Sequence, residues 1–235
     1  MKISQDLFVK ILHFARFEDC IQALTVSKDL VDVVSYVLYS APRMKLGKSW
    51  RKLVEKVKDE KVTRSLILHL DLSDRYYVTD EILLAGFAKC KNLKTFRVDN
   101  PRRLSNSIAK ELLRNNPYIA SLSFNRCKRL ESNTFIFISQ LKYLRNLELD
   151  FCHGLDDHTI CHILDSCTLI ELLSLKYCWR LGHPTISKLA KSAEYLHTLR
   201  IDGWENVLMH DFIRMIFLKE HLRDLSANNV KFISN

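Results

Sequence analysis

The feature that most constrains this chain is a period. Residues 144–164 read Leu-x-x-Leu-x-Leu-x-x-Cys-x-x-Leu through Leu144, Leu147, Leu149, Cys152 and Leu155, and the form returns at Ile170, Leu173, Leu175, Cys178 and Leu181. Followed outward, the register starts at Ile67, Leu93, Ile119, Leu144, Ile170, Leu196 and Leu222, in steps of 26, 26, 25, 26, 26 and 26 residues. Four columns are apolar in all seven repeats. Besides the starting column, one runs Leu70, Phe96, Leu122, Leu147, Leu173, Leu199, Leu225; the next runs Leu72, Val98, Phe124, Leu149, Leu175, Ile201, Ala227; the last runs Val78, Leu104, Leu130, Leu155, Leu181, Val207, Ile233. At 47% hydrophobic composition, such agreement arises by chance with a probability on the order of 10⁻⁹. A period of this length means that one small unit, unable to bury its apolar face alone, stacks on copies of itself.

Each unit reads as a short strand, a tight loop and a helix. The strands are expected to stack in parallel about 4.8 Å apart into an arc roughly 30 Å long. Helices over 157–165 and 184–192 belong to the outer wall. The last repeat reaches Asn235 just after its strand, so its edge has to be blunted or paired. Ahead of the repeats, apolar spacing predicts three short helices, over 3–15, 19–25 and 28–39. A basic amphipathic helix over 46–64 follows, with Trp50, Leu53, Val54 and Val57 inward. The organisation is therefore 1–45, a small helical segment; 46–64, a connector; and 65–235, the repeats.

With 235 residues and 27% charged residues, the chain has the length and composition of a globular protein with a sizeable core. No run of 18 apolar residues and no secretory h-region is present. An intracellular protein, cytoplasmic and/or nuclear, is expected. Seven cysteines is an odd number, and Cys127, Cys152 and Cys178 share one column, which suits buried thiols better than a disulfide framework. The net charge of +9 is unevenly spread, with +1 in residues 1–45, +4 in 46–64 and +4 in the rest. That spread does not mark a nucleic-acid face.

The N-terminal segment resembles an F-box. That family's pattern is roughly L-P-x-E-L-x-x-x-I-L-x-x-L, then D-L, then V-S-K-x-W; here stand Ile3, Ser4, Asp6, Leu7, Ile11 and Leu12, then Asp19 and Cys20, then Val26, Ser27 and Lys28, without a gap. Ser4, Ala15 and Leu30 depart from it, replacing the usual proline, leucine and tryptophan. The 26-residue period with cysteine in the ninth position resembles the cysteine-containing leucine-rich repeats often found behind an F-box. Arg75, Pro101, Trp204 and Val230 stand for cysteine in the other repeats. The resemblance implies an α/β leucine-rich-repeat solenoid of about seven strand-helix repeats behind a three-helix F-box-like segment. It also implies the substrate receptor of a Skp–cullin–F-box ubiquitin ligase. Ile3, Leu7, Ile11, Leu12, Asp19 and Val26 would then meet a Skp-type adaptor and, through it, a cullin. A plain interaction scaffold with an N-terminal helical cap is the alternative.

No catalytic set emerges, since there is no Gly-rich phosphate loop, H-E-x-x-H or G-x-S-x-G, so no enzyme and no cofactor is expected. Cys152, His153, His158, Cys161, His162 and Cys167 make the most metal-like cluster. Cys152 belongs to the core ladder, however, and Cys161 and His162 point apart on one helix, so no metal is assigned. The concave positions carry six acids (Asp71, Asp99, Glu148, Asp150, Asp202, Asp224) against three bases (Arg97, Lys176, Arg200), which argues against a specific nucleic-acid groove. Two surfaces remain as target sites. Phe151 and Tyr177 share a column just beyond the strands, with Trp179 two residues on, and aromatic residues on a lip are typical anchors for a protein partner. Arg102 and Arg103 sit at the loop positions of Lys128 and Arg129, with Arg126 beside them. That rim is either ordinary solvated surface or a site for acidic or phosphorylated targets.

Overall fold

A computed structural model describes residues 69–73, 80, 90–101 and 103–233. The three expected N-terminal helices, the connector, the six adaptor positions and Arg102 lie outside the described residues.

Seven three-residue strands form one sheet: β1 (His69–Asp71), β2 (Thr95–Arg97), β3 (Ser121–Ser123), β4 (Asn146–Glu148), β5 (Leu172–Ser174), β6 (Thr198–Arg200) and β8 (Asp224–Ser226). All six pairings are parallel and follow the sequence register, Leu70 opposite Phe96, then Leu122, Leu147, Leu173, Leu199 and Leu225. Between them lie α1 (Asn106–Asn115), α2 (Ser132–Phe135), α3 (Asp157–Ser166), α4 (His183–Lys191) and α5 (Met209–Leu218). The predicted helices over 157–165 and 184–192 thus appear as α3 and α4. One core fills the space between sheet and helices, built from the ladder columns together with inward helix residues such as Leu112, Ile160, Ile163, Ile186 and Leu189.

The single 25-residue step has a local cause. Its repeat carries only the four residues of α2, followed by a 3-10 helix over Ile136–Gln140. A 3-10 helix rises about 2.0 Å per residue against 1.5 Å in an α-helix. Fewer residues therefore span the outer wall, and the next strand still meets its register.

Helix starts are secured from the repeat before. Asp80 Oδ1 accepts from the backbone N–H of Ser105 at 2.8 Å, Asn106 Oδ1 from that of Glu131 at 3.1 Å, and Asp157 Oδ1 from that of Gly182 at 3.1 Å. Asp157 also takes the N–H of Thr185 at 3.2 Å and its hydroxyl. It thereby caps α4, whose own N-cap, Gly182, has no side chain to do so.

The cysteine column holds neighbouring repeats together. Cys127, Cys152 and Cys178 are buried, and their Sγ atoms donate to the carbonyls of Val98, Phe124 and Leu149 at 3.9, 3.0 and 3.1 Å. Trp204 stands in the same column and donates from Nε1 to Leu175 O at 2.8 Å.

The seventh repeat departs from the pattern of burial. Leu225 is 37% exposed, although every earlier member of its column is at 3% or less. Phe217 on α5 is 81% exposed. The apolar spacing is kept there, but nothing among the described residues stacks on it. β9 (Phe232–Ile233) of this repeat pairs in parallel with β7 (Val207–Leu208) of the preceding one as a second, two-stranded sheet, and among the described residues nothing pairs with the outer edge of β8, where blunting or pairing is expected.

Candidate functional site

From β2 onward, each strand of the seven-stranded sheet leaves it through a turn with one residue in the left-handed region. Asn100, Arg126, Phe151, Tyr177, Gly203 and Asn229 occupy that column with φ between 52° and 76°. Five of their backbone N–H groups, from Asn100, Arg126, Phe151, Tyr177 and Gly203, donate to the carbonyls of Asn125, Asp150, Lys176, Asp202 and Asn228 at 2.7–2.9 Å. The conformation therefore extends the strand ladder by one more rung.

Asn and Gly adopt this conformation readily, and three repeats use them. The three central repeats do not. An Arg, a Phe and a Tyr held there cost roughly 1–3 kcal/mol each. The three side chains stack on one another. The Arg126 guanidinium lies 5.0 Å from the Phe151 ring centroid, and the Phe151 and Tyr177 rings stack at 4.6 Å and 18°. Tyr177 in turn rests on Gly203, where a Cβ would come within 2.5 Å of Tyr177 Cδ1. Stacked aromatic pairs return about 0.5–1.5 kcal/mol and an exposed cation–π contact about 0.5–1 kcal/mol. The stack offsets part of the strain.

The surrounding charges are distributed unevenly. All six concave acids are engaged within the solenoid. Asp71 accepts from the N–H of Ser73, and Asp99, Asp150 and Asp202 accept from the hydroxyls of Ser123, Ser174 and Ser226 in the next repeat at 2.7–2.8 Å. Asp150 and Asp202 also take the N–H of Lys176 and of Asn228. Glu148 pairs with Arg97 at 3.3 Å, and Asp224 with Arg200 at 3.3 Å. On the rim, Arg103, Arg126, Lys128 and Arg129 are exposed. Among the described residues they have no acidic partner within ion-pair distance. Arg180 differs, lying 3.8 Å from Asp156.

The two target surfaces expected from the sequence thus meet. Arg126 belongs to the basic rim and, through Phe151, to the aromatic lip. Trp179, two residues after Tyr177 in the chain, is 56% exposed, and Tyr177 is 40% exposed. Arg103 is on the rim but outside the stack. Sequence reasoning missed Gly203 as part of the site. Its signal was available, since it is the one glycine in the left-handed column and follows Tyr177 by one period.

The cysteine and histidine cluster does not converge. Burial, the leading cause, pushes the thiols of Cys127 and Cys152 well above the ordinary range and that of Cys178 up to about 12. Cys161 is only half-buried, and its sulfur faces Pro184 O at 3.8 Å. Among the described residues no group of three or more His, Cys, Asp and Glu side chains surrounds a common point. No helix among them is long and apolar enough to cross a membrane.

The fold is a leucine-rich-repeat solenoid, with parallel strands inside and helices outside. Neither a protein-family model nor a curated protein matches the sequence. Among solved structures, the chain is similar to one in the complex of Rad7 and Elc1 from yeast, with TM-score 0.55 and 16% identity, over 97% of this chain and 60% of that one. It is also similar to internalin C2 of Listeria monocytogenes, with TM-score 0.53 and 14% identity, over 85% of this chain and 89% of that one. At these identities the likeness is one of fold. This chain spans 60% of the length of its counterpart in the Rad7–Elc1 complex.

Proposed function

We propose that this chain is the substrate-recognition subunit of a Skp–cullin–F-box type ubiquitin ligase. The N-terminal helices dock on a Skp-type adaptor, and through it a cullin, while the repeats hold a target protein. The observation that carries the target half is the stack. Three consecutive repeats accept a strained backbone to present Arg126, Phe151 and Tyr177 side by side, with exposed Trp179 two residues after Tyr177. Aromatic and arginine anchors of this kind dominate protein interfaces. The concave acids are consumed internally, so the surplus charge at the lip is positive and favours an acidic or phosphorylated target segment. The adaptor half rests on the ungapped spacing of Ile3, Leu7, Ile11, Leu12, Asp19 and Val26. The fold likeness to a chain crystallised in a two-protein complex, Rad7 with Elc1, lends support. In this reading the chain is not an enzyme; it supplies proximity and orientation to partner enzymes.

The test is affinity purification of the full chain with mass spectrometry. Adaptor and cullin peptides are expected with the wild type. Leu7→Asp with Ile11→Asp puts charges into a dry interface; it loses those peptides and keeps the target. Arg126→Glu with Tyr177→Asn does the reverse. Absence of any adaptor from the wild-type purification overturns the ligase reading, and retention of the target by the second variant overturns the lip.

A further inference from the structure

A second aromatic row lies at the other end of the strands, where each loop from the helix side enters the sheet. The residue just ahead of the starting column is Tyr118, Tyr143, Leu169 and Tyr195 in four consecutive repeats. The three tyrosines are about half exposed, at 49%, 55% and 54%. The residue just behind that column is Lys94, Ala120, Arg145, Glu171, His197 and Arg223. Only Ala120 is small. Where its neighbours extend a charged or aromatic side chain, Ala120 leaves a cavity of about 410 Å³ lined by Lys94, Tyr118, Ala120, Tyr143, Arg145 and Leu169. Ligand sites run from about 300 to 1,000 Å³.

The lining has a definite chemistry. The backbone there is satisfied, with Lys94 O accepting from Ala120 N and Ser121 N at 2.8 and 3.1 Å, and Ala120 O from Arg145 N and Asn146 N at 2.8 and 3.0 Å. Besides the charged side chains of Lys94 and Arg145, the lining offers two phenol rings, a methyl group and the Leu169 side chain. Arg145 is neutralised by its ion pair with Glu171. Lys94 Nζ lies 5.0 Å from the Tyr118 ring centroid and has no acidic partner within ion-pair distance among the described residues. The cavity is therefore apolar inside and carries one unbalanced positive charge.

The geometry points to a docking site for an acidic peptide segment of a partner protein, seating one aromatic or aliphatic side chain against Tyr118, Ala120 and Tyr143 with a carboxylate against Lys94. A nucleic-acid strand fits less well. The two rings lie 5.6 Å apart at a tilt of 40°, so they leave no parallel slot for a base, and a strand groove aligns several cations rather than one. The site does not depend on the ligase reading, because it shares no residue with the lip or the adaptor positions.

The experiment uses the full chain, ¹⁵N-labelled, and three capped pentapeptides: phenylalanine flanked by glutamates, phenylalanine flanked by lysines, and alanine flanked by glutamates. The first peptide is expected to shift the amides of Tyr118, Ala120 and Tyr143, and the other two to leave them unmoved. Ala120→Arg restores the side chain carried by the next repeat, so the fold is kept while the cavity is filled; affinity is expected to fall at least about tenfold. Lys94→Gln is expected to weaken binding by about threefold, the size of one exposed charge pair. Equal shifts from the lysine peptide, or undiminished binding by Ala120→Arg, overturn the proposal. So does a single-stranded oligonucleotide that shifts the same amides when the glutamate peptide does not.

Discussion

Trp204 Nε1 donates to the carbonyl of Leu175 at 2.8 Å, the bond that Cys178 Sγ makes to Leu149 one repeat earlier at 3.1 Å. A column that departs from cysteine in sequence keeps its hydrogen bond in space. Trp204→Phe retains most of the buried volume but leaves the Leu175 carbonyl without its donor. A loss of roughly 1–3 kcal/mol is expected, read as a lower denaturation midpoint at unchanged slope.

The buried thiols should be inert. Burial raises the thiol pKa of Cys127, Cys152 and Cys178, and that of Cys167 to about 11, so little thiolate exists at neutral pH. Cys161 is raised too, again chiefly by burial, but it is half-buried only. Among these cysteines, iodoacetamide under native conditions is expected to label Cys161 first, as peptide mass mapping would show. Labelling of Cys152 at the same rate would remove it from the core. Cys152→Ala, which deletes its bond to Phe124, should cost roughly 1–3 kcal/mol.

Asp157 caps a helix that is not its own. Asp157→Ala leaves Gly182 N and Thr185 N without their acceptor. A loss of about 1–2 kcal/mol is expected, concentrated in α4. Hydrogen exchange should speed up at the start of that helix, while amides in α1 stay unchanged.

The same region confers an acid sensitivity. Partial burial tends to raise the Asp156 carboxyl pKa, but hydrogen bonds from Ser132 and Thr159, with Arg180 nearby, bring it below its ordinary 3.8. A group lowered on folding contributes stability above its unfolded pKa and loses it as pH falls through the folded one. Denaturation midpoints of the wild type should therefore drop further below about pH 4 than those of Asp156→Asn.

Phe151→Asn separates stability from recognition. Asparagine suits the left-handed turn, so relieved strain of roughly 1–3 kcal/mol offsets lost stacking of about 0.5–1.5 kcal/mol. The melting temperature should hold or rise slightly. Target capture should fall all the same. A fall in both would mean that the stack serves only to hold the repeats together.

Much of the fold was legible because stacking turns a one-dimensional period into three-dimensional neighbours. Leu70 to Leu225 form a row in the sheet since equal register positions meet their equals. The candidate site was legible only as two separate surfaces. Phe151, Tyr177 and Trp179 stood out by residue type, and Arg126, Lys128 and Arg129 by charge. That Arg126 lies over Phe151 depends on the turn, whose left-handed backbone aims the column's side chains along the solenoid. No residue pattern states that directly.

By itself the sequence determined the repeat length, the strand register, the ladder columns and the place of the cysteines, because burial of a periodic apolar face leaves one way to stack. Only the tertiary structure decided which column mates touch and which stay open. Asp157 reaches α4, Gly203 makes room for Tyr177, and Ala120 opens a cavity between Tyr118 and Tyr143. It also decided that Leu225, apolar like the rest of its column, lies 37% exposed. A column position specifies what a side chain can bury, but burial itself requires a neighbour on the far side.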